Sequence, residues 1–151
     1  MTSMQSDGPV LEELSRAECL RLLATAEIGR ISYTRQALPV VEPVNFALHD
    51  GAIVIRTDAG GKLAAATRRA VVAFEADDLD PVLRSGWSVT VIGRCEEVTE
   101  AGDVAGLDQL GLESWAPGTR NHFIRIVPGI VTGQRHCRLA RPQLRTSRPP
   151  P

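Results

Sequence analysis

The chain has 151 residues and a formal net charge of −1, a length typical of one domain and a charge that excludes general attraction to nucleic acid. Hydrophobic residues make up 43% and charged residues 23%, which excludes a disordered or fibrous chain. Three widely spaced cysteines indicate neither a disulfide framework nor a zinc motif. The polar N-terminus has no signal-sequence pattern, and no apolar run is long enough to span a membrane. We expect a cytoplasmic protein without a membrane partner.

The first third of the chain predicts one helix followed by three strands. Leucines near helical spacing indicate a helix over Arg16–Thr25, and Ser15 with Glu18 forms a capping-box pattern at its start. The sequence then changes to alternation with β-branched residues, which is typical of strands. The predicted strands, in meander order with a hairpin turn at residues 49–51, are Ile31–Thr34, Pro39–Leu48 and Ala52–Thr57.

The rest of the chain predicts two short helices among further strands. An alanine-rich stretch indicates one helix, and an aspartate near the positive helix end with a terminal glycine indicates the other. Gly93 interrupts a long alternating stretch and predicts a bend, because it has no side chain to pack. The predicted elements are helix Lys62–Arg69, strand Ala70–Phe74, strand Trp87–Val98, helix Asp103–Gly111 and one or two final strands over His122–Val127 and Ile130–Gln134, broken at Pro128-Gly129.

Five to seven short strands with brief helices favour a small antiparallel barrel over alternating parallel units. We therefore predict a mainly β fold with a single domain over residues 11–137. Residues 1–10 are predicted to be a flexible N-terminus. Residues 138–151, which are rich in arginine and proline, are predicted to be a disordered tail because they offer little to bury.

Residues 53–63 have the composition of a phosphate-binding segment: an apolar run, an Arg-Thr pair, a glycine-bearing loop and a lysine that opens a helix. A phosphate monoester carries about two negative charges, which a guanidinium, an ammonium and backbone N–H groups neutralise together. Arg56, Lys62 and the Gly60-Gly61 turn would supply these three groups. We call Arg56, its neighbour Thr57, Gly61 and Lys62 the candidate phosphate site. Asp58 opposes this interpretation, since its carboxylate would repel phosphate, and a plain strand and turn explain the same segment.

Two other runs carry residues suited to a flat ligand. Pro43–Phe46 contains a proline that cannot donate to a strand ladder and, in Asn45, both a donor and an acceptor. Trp87 opens a strand beside Ser88, and Trp115 lies in a loop. Core or interface packing explains each tryptophan equally well, because tryptophan buries a large area wherever it lies.

Several short motifs occur in one order along residues 11–137, and their combination is more specific than any one of them. They are Gly29-Arg30, Pro43-Val44-Asn45-Phe46, Arg56-Thr57, Gly61-Lys62-Leu63, Val72-Ala73-Phe74-Glu75, Gly86-Trp87-Ser88-Val89, Trp115-Ala116-Pro117-Gly118 and Val131-Thr132-Gly133. In this order they resemble the pyridoxamine-phosphate-oxidase-like family of flavin-binding split-barrel proteins, especially its actinobacterial branch.

The resemblance implies a six-stranded antiparallel split β-barrel of the FMN-binding type, which forms a homodimer with two flavin sites at the subunit interface. The implied phosphate contacts are Arg56, Thr57 and Lys62, and the matched neighbours beside them are Gly61 and Leu63. The residues implied to run beside the flavin ring are Pro43, Val44, Asn45 and Phe46. Those implied to come from the partner subunit or the outer wall are Trp87, Ser88 and Trp115.

The histidines depart from the family's patterns. Pyridoxamine phosphate oxidases place an arginine and a histidine one residue apart near the C-terminus to bind the vitamin, whereas Arg135 and His136 are adjacent here. This difference argues against vitamin oxidation. His49, His122 and His136 all lie outside the matched cofactor motifs, so we expect surface or turn positions for them rather than catalytic or metal-binding roles.

Three classes of function are compatible with these observations. The first is an oxidoreductase in which FMN, or a deazaflavin, passes a hydride between a donor such as reduced nicotinamide and a small molecule; the cofactor then carries the chemistry, and no catalytic side chain is required. The second is a non-catalytic protein that stores or senses flavin or haem. The third is a nucleic-acid partner bound through the arginine-rich tail, which the lack of interleaved aromatic residues disfavours.

Overall fold

The computed structural model describes residues 9–57, 61–112 and 122–138. These residues form three short helices and eight strands in one antiparallel sheet. The helices are α1 (Arg16–Leu23), α2 (Lys62–Thr67) and α3 (Ala101–Asp108). The strands are β1 (Pro9–Glu13), β2 (Ile28–Arg35), β3 (Leu38–Asn45), β4 (Ala47–His49), β5 (Ala52–Thr57), β6 (Val71–Asp80), β7 (Ser85–Val98) and β8 (His122–Arg138).

The sheet has the order β3-β2-β6-β7-β8-β5-β4 and curls into a half-barrel. Its two longest strands, β7 and β8, pair along almost their whole length. The other edge of β8 is shared, because β5 pairs with its first part and β1 with its last part. The predicted mainly β split-barrel fold is therefore confirmed. The described sheet has eight strands rather than six, since the short β1 and β4 add to it.

Three predictions about the strands are wrong in detail. The first three predicted strands do not form a meander, because β2 and β3 pair with each other while β4 and β5 pair at the opposite end of the sheet. Pro9–Glu13 is a strand, so the expected boundary between a flexible N-terminus and the domain at residues 10/11 falls inside β1. The final strand continues through Pro128-Gly129 instead of stopping there.

Local sequence signals explain where the helix and turns lie. Ser15 accepts from the Glu18 N–H and Glu18 accepts from the Ser15 N–H, so the predicted capping box at the start of α1 is confirmed. The predicted hairpin also forms, since Asp50 and Gly51 both have positive φ between β4 and β5, as the favoured two-residue hairpin turn requires. At Gly93 the β7–β8 register shifts. A side chain there would collide with the Val127 carbonyl.

The sheet has two faces with different environments. The inner face carries the main core, which includes Ile31, Phe74 and Ile126 and is packed against by residues of α1 and α2. The outer face carries the alternate residues of the same strands. At one end α3 covers it through a second cluster, formed by Val54, Val98, Leu107, Leu112 and Phe123. Burial of such side chains stabilises the fold by about 1.5–3 kcal/mol each.

Candidate functional site

The candidate phosphate site forms where β5 ends and α2 begins. Thr57 is the last residue of β5, Gly61 is the N-cap of α2, and Lys62 is its first residue. Glycine has no side chain, so Gly61 gives the first N–H groups of α2 no side-chain cap. Asp58 lies outside the described residues. The structure therefore places the backbone of these four site residues around one short connection.

Arg56 is held on the outer face at the α3 end of the sheet. Its Nη2 atom lies 3.2 Å from the Asp108 Oδ1 atom, and its Nη1 atom donates to the Leu112 carbonyl oxygen at 3.3 Å. The guanidinium carbon also lies 5.5 Å from the centre of the Phe123 ring, a cation–π distance. The Arg56 side chain is 22% exposed. Arg56 is therefore fixed in position by its contact with α3.

Thr57 faces inward beside a histidine that the sequence motifs did not include. Thr57 pairs with His122 across the β5–β8 ladder, and Glu97 lies next to His122 on the same inner face. The His122 Nε2 atom lies 3.6 Å from the Glu97 Oε1 atom, and it is buried with no hydrogen-bond partner among the described residues. Arg68, just after α2, donates to the same carboxylate oxygen at 2.9 Å. His122 is thus an interior residue beside the candidate phosphate site, and its predicted surface position is wrong.

Strand alternation divides the Pro43–Phe46 run between the two faces. Pro43 and Asn45 lie on the outer face, as Arg56 does, whereas Val44 and Phe46 point inward. Phe46 packs edge-to-face on Phe74 with 4.7 Å between ring centres. Only Pro43 and Asn45 therefore present side chains to an outer-face ligand. Leu63, in α2, likewise packs against the main core.

Trp87 and Ser88 lie at the opposite end of the sheet from Arg56. Arg56, Phe123 and Val98 form one cross-strand row, and Ser88 is ten residues from Val98 along β7. At about 3.3 Å per residue this separates Ser88 from that row by roughly 33 Å along the strand. Ser88 faces outward, while Trp87 packs against the main core. A single chain therefore does not bring these residues to the phosphate site. Trp115 lies outside the described residues.

Between these two ends the outer face carries one apolar row and one polar row. The row that we call the apolar row crosses five strands and consists of Val41, Ala73, Ile92 and Ile130, with the polar Ser32 between Val41 and Ala73. Val41 is 65% exposed and Ile130 is 60% exposed, so its largest side chains face solvent in one chain. The polar row consists of Pro43, Arg30, Glu75, Thr90 and Thr132.

A charged group stands in the polar row. The Arg30 Nη1 atom lies 3.2 Å from Glu75 and 3.5 Å from Asp77, so one guanidinium bridges two carboxylates. Burial, followed by the hydrogen bond to Asp77, raises the pKa of Glu75 to about 7. Arg30 opposes this rise without cancelling it. The outer face thus contains a carboxyl group that titrates near neutrality.

The described residues contain neither a group of metal-binding side chains nor a helix that could span a membrane. Among the described residues, no group of three or more His, Cys, Asp or Glu side chains is arranged to hold a metal ion. No helix in the same part of the chain is long and apolar enough to cross a membrane.

The fold and the order of these residues agree with a known protein family. A model of the family described as pyridoxamine 5'-phosphate oxidase matches residues 15–135. The chain belongs to this family. The match includes the phosphate site, the Pro43–Phe46 run and the Trp87-Ser88 pair.

Relatives of the chain include curated proteins and solved structures. The uncharacterized protein Rv0080 of Mycobacterium tuberculosis is 44% identical over 88% of this chain and 90% of its own length. A proposed pyridoxamine 5'-phosphate oxidase from Corynebacterium glutamicum is 33% identical with a TM-score of 0.74, covering 86% of this chain and all of that one (100%). The FAD binding protein of Mycobacterium smegmatis is 31% identical with a TM-score of 0.65, and the match covers 83% of this chain and 98% of that one.

Sequence reasoning missed two residues at this site, for different reasons. His122 has no local signal, because only the pairing of β5 with β8 places it beside Thr57. Asp108 ends a short helix, and nothing in its neighbours indicates that it meets Arg56. The ion pairs of Glu97 with Arg68 and of Glu96 with Arg125 also join residues that are distant in the sequence, so no local pattern indicates them.

Proposed function

We propose that this protein is an FMN-binding oxidoreductase that transfers a hydride between reduced nicotinamide, or a similar donor, and a small molecule. Bound flavin would supply the redox chemistry. The chain would hold the phosphate, position the ring and limit access to one of its faces. The observation that carries the proposal is the fixed guanidinium of Arg56 near the end of β5, the strand that leads to α2, in a chain of a family with flavin-binding relatives.

The residue types at the site fit a phosphate group. Arg56 presents a guanidinium whose orientation is set by Asp108 and by the Leu112 carbonyl oxygen, so little conformational entropy is lost when an anion binds. The uncapped N–H groups at the start of α2 are donors of the kind that bind phosphate oxygens. The buried Nε2 atom of His122 marks a nearby polar group whose hydrogen bonding is incomplete in the described residues.

We further propose that the functional unit is a homodimer in which each flavin contacts both chains. The separation of Ser88 from the Arg56 row supports this, because one chain cannot close around a ligand from both ends. If two outer faces pack in opposite directions, Ser88 of one copy approaches Arg56 of the other. The apolar row with Ile92 and Ile130 would then be buried in the middle of the interface.

Mixed dimers test this two-chain site. A chain with Arg56→Ala and a chain with Ser88→Trp each carry one defective half, so each homodimer should lose FMN. Co-expressed chains are isolated as mixed dimers through two different tags. They should regain FMN at about half of the sites, because one of the two flavin sites of a mixed dimer combines an intact Arg56 with an intact Ser88. Failure of the mixed dimer to bind FMN, with both folds intact by circular dichroism, would contradict a shared site.

The identity of the flavin needs a direct measurement. FMN is our first choice, because the ordered motifs of the sequence resemble flavin-binding split-barrel proteins of the FMN-binding type. A deazaflavin carries a longer acidic tail, and extra basic groups along its exit would favour it. FAD is the next alternative, because the relative from Mycobacterium smegmatis is named as an FAD binding protein. Mass spectrometry of the ligand released from natively purified protein distinguishes the three.

Turnover separates an oxidoreductase from a storage or sensing protein. We expect the loaded protein to oxidise reduced nicotinamide in the presence of an acceptor from a panel of quinones and nitroaromatic compounds. A protein that retains flavin and oxidises no donor would be a binding protein. Haem is disfavoured at His122, because its Nε2 atom is buried against Glu97, and a Soret band in purified protein would overturn that view.

A further inference from the structure

A cavity of about 300 Å³ lies between α3 and the outer face of the sheet, which is the lower end of the size range of ligand pockets. We call it the α3 cavity. It is bounded by α3, by the turn between β4 and β5, and by β7 and β8. Its apolar walls are formed by Val54, Val98, Leu107 and Val127. It lies on the far side of the buried cluster under α3 from the candidate phosphate site.

Two glycines of α3 create much of this space. Gly102 and Gly106 are four residues apart, so they lie on the same helix face, and both line the α3 cavity. A side-chain carbon added to either would meet nothing within 4 Å, and neither has a positive φ. Glycine weakens a helix interior relative to alanine. Since neither packing nor backbone conformation requires these glycines, their effect is to keep the cavity open.

The charges at the α3 cavity favour a cation. Three carboxylates, those of Asp50, Glu96 and Asp103, lie at its boundary. Arg125 lies there too, but its Nε atom is bound to the Glu96 carboxylate at 3.1 Å, so this pair is largely neutralised. The His49 Nε2 atom lies 3.4 Å from the Asp50 Oδ2 atom, and His49 adds a positive charge there only when it is protonated. The remaining excess is acidic, and an ammonium group would complement it.

We propose that the α3 cavity is a second small-molecule site, distinct from the flavin site, which binds a compact apolar ligand bearing one ammonium group. The apolar walls take the body of the ligand, and the carboxylates of Asp50 and Asp103 hold the ammonium at the mouth.

This site is mechanically connected to the candidate phosphate site through α3. Leu107 lines the α3 cavity, and its neighbour Asp108 holds Arg56. Val54 lines the same cavity and lies two residues before Arg56 on the same face of β5. A ligand that fixes α3 against the sheet therefore also fixes Arg56. Because binding free energies are coupled reciprocally, FMN and the amine should each tighten binding of the other.

Tryptamine, and indole-3-acetate as its anionic counterpart, are the probes. Full-length protein is titrated with each by NMR, with and without saturating FMN, following the amide signals of Gly51, Gly102 and Gly106. We expect tryptamine to shift these signals and to bind at least about tenfold more tightly than indole-3-acetate, a difference set by the carboxylates. Equal affinities, or no shift of these signals at millimolar tryptamine, would overturn the proposal.

Variants of α3 provide the matched test. Gly106→Leu places a side chain in the cavity and should weaken tryptamine by about tenfold or more. Ala105→Leu adds the same side chain to the same helix at a position that does not line the cavity, and tryptamine affinity should stay unchanged. Gly102→Ala is the milder second variant, should Gly106→Leu unfold. Tryptamine binding that survives both glycine substitutions would refute the site.

Two readouts keep this proposal separate from the flavin proposal. FMN affinity is measured in every variant, and the glycine variants should retain FMN because they leave the candidate phosphate site intact. Asp103→Asn should lower tryptamine affinity while leaving neutral 3-methylindole unaffected. If FMN fails to bind any form of the protein, the flavin proposal fails while the tryptamine result still decides the α3 cavity.

Discussion

The two ends of the outer sheet face differ in how far one chain completes them. At the Arg56 end, α3 covers the sheet, and the guanidinium has partners in Asp108 and Leu112. At the Ser88 end the same face is an open depression lined by polar or partly exposed residues, among them Leu11, Ser88, Thr132 and Gln134. One end is therefore organised by contacts within the chain, whereas no element among the described residues covers the other end.

This asymmetry bears on how a flavin would be bound. A phosphate group needs fixed charges and donors, which rigid elements such as β5 and α2 provide within one chain. A flat ring needs a wall on each side, and within the Pro43–Phe46 run only Pro43 and Asn45 face outward. A second copy that presents its open end would supply a further wall.

The largest effect is expected from a charge in the apolar row between the two ends. Ile92→Asp would place a carboxylate where a second copy packs, so we expect a monomer and loss of FMN at micromolar concentrations. Analytical ultracentrifugation and fluorescence titration measure the two effects. Val82→Asp, at an 84% exposed position in the turn after β6, is the control and should change neither. A monomeric Ile92→Asp protein that binds FMN normally would show that one chain suffices.

The next largest effect is expected on FMN affinity when Arg56, at the end of the sheet covered by α3, is replaced. Arg56→Ala should weaken FMN by about 1.5–3 kcal/mol, the range for hydrogen bonds to charged groups. Riboflavin, which has no phosphate, should be affected little. Asp108→Asn is the control, because it removes the ion pair between Arg56 and α3 while keeping the guanidinium. An equal loss for FMN and riboflavin would place Arg56 outside the phosphate contact.

A smaller effect is expected at His122, which lies beside Thr57 only through the β5–β8 ladder. His122→Gln should reduce FMN affinity by about 1 kcal/mol, a typical value for one hydrogen bond, and should affect riboflavin less. The matched control is His49→Gln, at the end of β4, where His49 pairs with Ala52. If His49→Gln reduces FMN affinity as much as His122→Gln does, the effect is not specific to the surroundings of Thr57.

The smallest effect is a pH dependence of stability from Glu75. A carboxyl group with a pKa raised to about 7 by burial holds its proton in the folded state over a pH range in which the unfolded chain has lost it. Its ionisation therefore destabilises the fold as pH rises from about 4.5 towards 8. Glu75→Gln should flatten this decline in Tm. A decline of the same steepness in both proteins would exclude Glu75 as its source.

Some features of the chain follow from local sequence. Ser15 and Glu18 determined the start of α1, because a capping box involves residues three apart. Asp50-Gly51 determined the β4–β5 turn, because few residues tolerate positive φ. The alternation in Ala52–Thr57 determined both bounds of β5 and the face on which Arg56 lies. Each of these signals acts within a few residues, so a single sequence contains it.

Other features required the tertiary structure. Whether β3 pairs with β5 or only with β2 depends on which apolar faces pack together, and local pattern does not specify that choice. Local pattern does not specify the position of Trp87 either. Its side chain points inward because of the register of β7 with β6 and β8. The extension of β8 through Pro128-Gly129 also depends on its partners, since β7 continues opposite it.

The sequence by itself thus determined the strand-rich class, the family motifs and the residues of the candidate phosphate site. Only the tertiary structure decided that Arg56 is held by Asp108, that His122 lies beside Thr57, and that Ser88 lies at the far end of the sheet. The physical reason is the range of the interactions. Capping and alternation act over neighbouring residues, whereas these three relations arise from contacts between segments up to 65 residues apart, such as Thr57 and His122.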